Sequence, residues 1–170
     1  VNGDGSDGAI VINRQLRSGE ILDGLSNTIG FAEVKAYQPY VRNSSTPTTL
    51  GVAPPADVTT VLSMATTGSY RGPVGHTEWT DSPCHQSGVT FVLTPNTKVM
   101  MADPSTGALQ DIDLLTQVEG SHASKPSYGV ITSRSYHTGN LVNVLLMDGS
   151  VRSVSGTINL QVWRDRKSTR

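Results

Sequence analysis

Residues 130–154 constrain the fold of this chain more than any other stretch. Residues 141–147, Leu-Val-Asn-Val-Leu-Leu-Met, are apolar at every position except Asn143. A run this short, apolar on both faces, predicts a strand in the middle of a sheet. Asp148-Gly149 follows at once, a preferred pair for a two-residue type I′ hairpin turn, in which both central residues take positive φ. That turn would set Met147 opposite Ser150, Leu146 opposite Val151 and Leu145 opposite Arg152. The return strand, 150–154, is more polar and is expected nearer an edge or facing water on one side. A third apolar run, 128–132, leads in.

The same stretch carries a resemblance. His137 is followed, after ten residues, by Asp148-Gly149 and then Ser-Val-Arg. Near the other end stands Asp23-Gly-Leu-Ser-Asn-Thr-Ile-Gly-Phe-Ala-Glu33, and near the C-terminus Ile158-Asn-Leu-Gln-Val-Trp-Arg164. In this order the three stretches resemble a large family of prepilin-type proteins abundant in planctomycetes. That family carries an Asp-Gly-Thr-Ser-Asn-Thr segment ending in Gly-Glu, a His, nine residues, Asp-Gly signature, and a closing Asp-Leu-Ala-Thr-Trp-Arg. The resemblance implies a pilin-like globular head. It also implies a short basic leader and a long apolar anchoring helix ahead of the head, neither of which is in this sequence. On that reading residues 1–170 are one head domain, a fragment or processed form of a longer chain.

Composition narrows the rest. The chain has 170 residues, enough for one domain with its own core. Hydrophobic residues make up only 36% and aromatics 5%, while Gly, Pro, Ser and Thr are plentiful, which favours short strands and long loops over helices. Thirteen basic and fourteen acidic residues leave a net charge of −1, with no basic excess to suggest a nucleic-acid partner. The basic tail, 164–170, reads as a solvated helix end. Cys84 is the one cysteine, so no internal disulfide can form. No stretch approaches the ~18 apolar residues of a membrane span.

Taken in order, residues 9–13 are a short apolar run that predicts a strand. Residues 18–27 read as turns, and residues 28–37 as a strand carrying Ile29, Phe31 and Val34. Glu33 and Lys35 share one face of it and read as a solvent-facing pair. Residues 43–55 form a loop. Val58, Val61, Leu62 and Ala65 fit helical spacing, with Pro55 suited to a first turn. Residues 66–88 read as irregular. Residues 89–94 and 97–101, joined by Pro95-Asn96, predict a hairpin. Residues 102–127 are mostly loop, broken at 112–115. Asn159 caps a final helix, 160–167, that buries Leu160 and Trp163.

Three clusters could carry chemistry. Asn2, Asp4, Ser6 and Asp7 offer hard oxygen ligands at nearly alternate positions in a glycine-rich loop, which suits Ca²⁺. The twelfth position of an EF-type loop would be Asn13, not Glu, which predicts weak affinity; a flexible chain end is the competing reading. His76, Glu78 and His85, with Asp81 and Cys84 between, are zinc-type ligands within ten residues, in a spacing that matches no established zinc signature. The competing reading is a loop whose polar groups satisfy its own backbone. A Ser–His–Asp set built on His137 and Asp148 fails, because a strand would hold the two apart at its opposite ends, and no Gly-x-Ser-x-Gly elbow exists. No phosphate-binding glycine loop is present either.

The expected fold is α+β: an antiparallel sheet of short strands with a few short helices and long loops. The expected function is non-catalytic, with no cofactor beyond a calcium ion. The chain would be the globular head of a pseudopilin-like subunit outside the cytoplasmic membrane, assembling with copies of itself or related subunits. The membrane would be reached only through the missing helix. Two alternatives stand beside it: a secreted solute-, glycan- or metal-binding module using residues 66–88, and a secreted hydrolase.

Overall fold

The computed structural model describes residues 8–10, 15–44, 53–81, 83–116 and 128–166. The predicted strand at 9–13 falls largely outside them. Nine strands and two longer helices follow in the order β1 (Ile29–Ala32), β2 (Gln38–Arg42), α1 (Val58–Ala65), β3 (Ser69–Gly75), a single turn α2 (Cys84–Ser87), β4 (Met100–Ala102), β5 (Leu109–Asp111), β6 (Asp113–Leu115), β7 (Gly129–Val130), β8 (Leu141–Leu146), β9 (Val151–Ser155) and α3 (Leu160–Asp165). They form a three-stranded sheet β1-β8-β9, a four-stranded sheet β3-β2-β6-β7 and a ribbon β4-β5. Every pairing is antiparallel except β2 with β6. The fold is therefore α+β, as the short apolar runs predict.

Strand β8 lies at the centre of its sheet. Val142, Val144 and Leu146 are fully buried on one face, while Leu141, Asn143 and Leu145 on the other are half-exposed. The hairpin forms, but one residue out of the expected register: Leu145 pairs with Val151 and Val144 with Arg152. The cause is a three-residue loop. Gly149 N–H donates to the Leu146 carbonyl at 2.9 Å, and Leu146 N–H donates to the Ser150 carbonyl at 2.9 Å. This is a type I turn closed by a glycine bulge. Of Asp148 and Gly149 only the glycine has positive φ, +86°. Asp148 instead turns its carboxylate onto the Ser150 N–H and hydroxyl, 2.9 and 2.7 Å away.

Beneath this sheet α3 inserts Trp163, which is wholly buried against Phe91, Ile29, Val142, Val144 and Leu146. The Phe91 and Trp163 rings lie 4.6 Å apart, tilted by 39°. Asn159 caps the helix as expected, accepting from Gln161 and Val162 N–H. Helix α1 is capped by Asp57, with Pro55 ahead of the helix and not in its first turn. It buries Val61 and Ala65 against Val41, Leu114 and Val130 of the four-stranded sheet.

Several predicted elements differ. The strand from residue 28 ends at Ala32, and Tyr37, with φ 60°, turns the chain into β2. Residues 66–88 contain the seven-residue β3; Gly72 and Pro73 disguise it, and Pro is tolerated because β3 is an edge strand. The hairpin predicted over 89–101 does not form. Residues 89–94 run alongside 131, with Thr90 N–H on the Ile131 carbonyl at 2.8 Å, and the Val92 carbonyl is taken by the Arg164 guanidinium at 2.7 Å. This segment is the seam of the molecule: Phe91 enters the Trp163 cluster while Val92 and Leu93 enter the α1 cluster.

Candidate functional site

The three stretches that carry the family resemblance come together. Thr28 and Met147 meet through a 2.9 Å bond from Met147 N–H to the Thr28 carbonyl. Ile29 N–H donates to the Arg166 carbonyl at 2.8 Å, and the Arg166 guanidinium reaches Asn27 Oδ1 at 3.2 Å. The hydroxyls and N–H groups around Asp148, those of Ser150 first and then Ser26, hold its carboxyl down at about 2.

Glu33, whose side chain is still 35% exposed, closes the joint. Its Oε2 accepts the Asn143 N–H at 2.7 Å, and its Oε1 accepts the Asn143 amide and His137 Nε2, each at 3.0 Å. Its own carbonyl accepts the Ser133 hydroxyl at 2.8 Å and Arg134 N–H at 3.0 Å. Burial alone would raise the Glu33 carboxyl, but the hydrogen bonds from Asn143 and His137 outweigh it and bring the group below the usual glutamate range. His137 is thus paired with Glu33 and not with Asp148. The neighbouring hydroxyls are engaged elsewhere: Ser135 donates to the Leu141 carbonyl, and Ser153 to Asn143 Oδ1 at 2.8 Å. A His–Glu pair is present here, and neither hydroxyl beside it is poised on the imidazole as a nucleophile.

A second polar cluster was not foreseen. Arg134 has a side chain only 2% exposed, and it directs all five donors inward. They reach Asp111 at 3.0 and 3.1 Å, Asp113, the Thr132 carbonyl at 3.2 Å and the Ile112 carbonyl at 3.3 Å. Burial disfavours the guanidinium charge, but the Asp113 and Asp111 carboxylates outweigh it and raise its pKa further. The signal in the sequence was Asp111-Ile-Asp113: two acids at i, i+2 in an apolar strand segment need a cation beside them. Above this knot opens a cleft of about 190 Å³, lined on its upper walls by Lys35, Asn96, Lys98, His137 and Asn140.

Residues 76–85 do not converge on one point. His76 is buried with φ 54°; its Nδ1 lies 3.0 Å from the Gln86 carbonyl and its Nε2 faces Asp113 at 3.9 Å. Burial lowers its pKa, with the Gln86 carbonyl and Asp113 opposing and Arg134 reinforcing. The His85 ring packs on Tyr40, centroids 4.5 Å apart, and Glu78 is exposed. The organiser is Gln86, whose side chain binds Thr77 N–H at 2.9 Å, Glu78 N–H at 3.1 Å and the Val74 carbonyl at 3.1 Å. Among the described residues no three His, Cys, Asp or Glu side chains are grouped to hold a metal ion. Asn2, Asp4, Ser6 and Asp7 lie outside the described residues. Among the described residues no helix is long and apolar enough to cross a membrane.

The architecture defines a class: a small α+β protein of short, mostly antiparallel strands, locked by polar joints rather than built around a deep pocket. Within that class the chain belongs to the family described as "Protein of unknown function (DUF1559)", whose model matches residues 2–161. No curated protein and no solved structure matches the chain.

Proposed function

We propose that this chain is the non-catalytic globular head of a prepilin-type, pseudopilin-like subunit. It would stand outside the cytoplasmic membrane and pack against copies of itself or related subunits in a filament or secretion apparatus. Attachment to the membrane would run through the apolar helix that the family resemblance implies. One observation carries the reading. Phe31, Leu145 and Val151 are paired in register across β1, β8 and β9, so their side chains form one apolar row on the outer face of the sheet. Phe31 is 63% and Val151 67% exposed, and no element of the described residues covers them. Strand β9 is also a sheet edge, with backbone groups open to a neighbour. An exposed apolar row beside a sheet edge suits burial by another subunit. The polar groups of the resembling stretches support the same reading, because they are engaged in holding the fold.

The test uses the full-length protein in its native envelope, with a photo-crosslinking residue at Val151. The expected result is a ladder of subunit multiples that disappears when Phe31→Ser is added, while the melting temperature of the purified head stays within a few degrees. Adducts of the monomer alone would refute the reading. The alternative of a binding module centred on 66–88 draws on Trp79, which is 82% exposed; His76 is buried and the His85 ring lies against Tyr40.

A further inference from the structure

The cleft above the Arg134 knot has unused binding capacity of one particular kind. Its floor is closed: Arg134 has no donor left, and Asp111 accepts Val99 N–H at 2.9 Å as well as the guanidinium. The walls are different. Lys98 is exposed and has no ion-pair or hydrogen-bond partner among the described residues. Lys35 rests its ammonium 4.2 Å above the ring of Tyr136 and pairs with no carboxylate among the described residues. The Asn140 side chain makes no hydrogen bond there, whereas the Asn96 carboxamide beside it is already engaged, accepting Ser135 N–H at 2.9 Å and donating to the Leu141 carbonyl at 3.4 Å. Tyr136, between the lining residues Ser135 and His137, is 84% exposed at the rim.

We propose that this cleft binds one acidic sugar unit of a polysaccharide, a pyranose ring bearing a carboxylate or a sulfate. The two ammonium groups would take the anionic substituent. The Asn140 carboxamide would bond ring hydroxyls in both directions, since it offers donors and an acceptor. The open face of Tyr136 gives a C–H-rich sugar face something flat to lie on. The size agrees: about 190 Å³ open to solvent is below the ~300–1,000 Å³ that encloses a drug-sized molecule, so it fits one ring of a chain that continues over the surface. The uniformly polar walls give a peptide side chain no apolar pocket. Exposed charges contribute little each, so the affinity is weak, on the order of 1 mM. The inference stands apart from the subunit role, because the site is formed within one chain.

The test is an NMR titration of the ¹⁵N-labelled protein with an oligogalacturonate, a sulfated galactan oligomer, a neutral galactan oligomer, inorganic sulfate and an acidic peptide. The expected result is saturable shifts at 35–36, 96–98 and 135–140 with one or both acidic oligosaccharides, and little with the rest. Which of the two binds identifies carboxylate or sulfate as the recognised group. Lys98→Gln should weaken binding at least about fivefold with an unchanged melting temperature, and Tyr136→Ser should weaken it for both acidic sugars alike. Equal binding of the neutral oligomer, of inorganic sulfate (an adventitious ion only) or of the acidic peptide would overturn the proposal, as would no shifts in the cleft.

Discussion

The molecule buries its interior in two different ways. Around Trp163 the three-stranded sheet and α3 meet through hydrocarbon and rings, with Ile29, Phe91, Val142, Val144 and Leu146. Around Arg134 the four-stranded sheet meets the ribbon and the 131–134 segment through a guanidinium and two carboxylates, beside an apolar cluster on α1. The first arrangement gains from any good packing. The second gains only if all five donors and their acceptors are placed together, since a buried charge without its partner is heavily penalised. The Trp163 region therefore tolerates repacking, whereas the Arg134 region specifies one geometry. That geometry also sets the floor of the cleft.

The sharpest contrast comes from removing each centre. Arg134→Met should cost about 3–5 kcal/mol by urea unfolding at neutral pH, because Asp113 is left buried and unpaired. Trp163→Ala should cost a similar ~3–5 kcal/mol through the cavity it leaves. The two should part company with pH. Burial raises the Asp113 carboxyl despite Arg134, and without Arg134 only the Thr132 N–H at 3.1 Å and His76 at 3.9 Å face it, so acidification neutralises an under-compensated group and the Arg134→Met deficit shrinks as pH falls. The Trp163→Ala deficit should stay constant. Equal pH dependence in both variants would erase the comparison.

Smaller effects refine it. Gly149→Val should destabilise by about 1–2 kcal/mol, the penalty of a β-branched residue at positive φ. This loss falls on the Trp163 side and should be independent of pH. The ionic side has a signature near neutrality. His76 has a folded pKa below its unfolded value of about 6.5, so the unfolded state binds the extra proton between the two. Stability therefore declines as pH drops from about 6.5 towards the folded value. His76→Asn suits the left-handed backbone and should shrink that limb, leaving the part that His85, lowered by burial in the same direction, contributes. Glu33 acts lower on the scale: its depressed pKa supplies stability that is complete above about 4.3 and lost as pH falls through the folded value. Glu33→Gln should remove only this lower limb.

Legibility followed the same divide. Hydrophobic periodicity exposed the apolar side: β8, α1, and α3 with its Asn159 cap and buried Trp163. Its errors there were local: Pro55 lies ahead of α1, Leu160 is only half-buried, and the hairpin register is shifted by one residue because Asp-Gly can close either a two- or a three-residue loop. The seam at 89–94 is β-branched and apolar enough to read as a strand, yet its backbone groups bond Ile131 and a guanidinium, which no pattern encodes. Edge position hid β3 behind Gly72 and Pro73. The polar joints were least legible. Asp111 and Asp113 announce a missing cation without naming Arg134, and Glu33 sits 104 residues from His137 and 110 from Asn143. The cleft walls come from three separate stretches, so no spacing could reveal them.

The stretches resembling the family's motifs form one structural unit, with Glu33 and His137 as its joint. Native-state hydrogen exchange tests this most directly. The amides of Asn143 and Met147 donate to Glu33 and Thr28, each across the joint between two of the stretches, and the amide of Ile29 donates to Arg166, two residues past the closing stretch. If the unit is one, the three amides open with the same free energy and lose protection together in Trp163→Ala. Should Asn143 exchange freely while Ile29 and Met147 stay protected, the Glu33–His137–Asn143 cluster is not part of the fold's framework, and the structural reading of these residues fails.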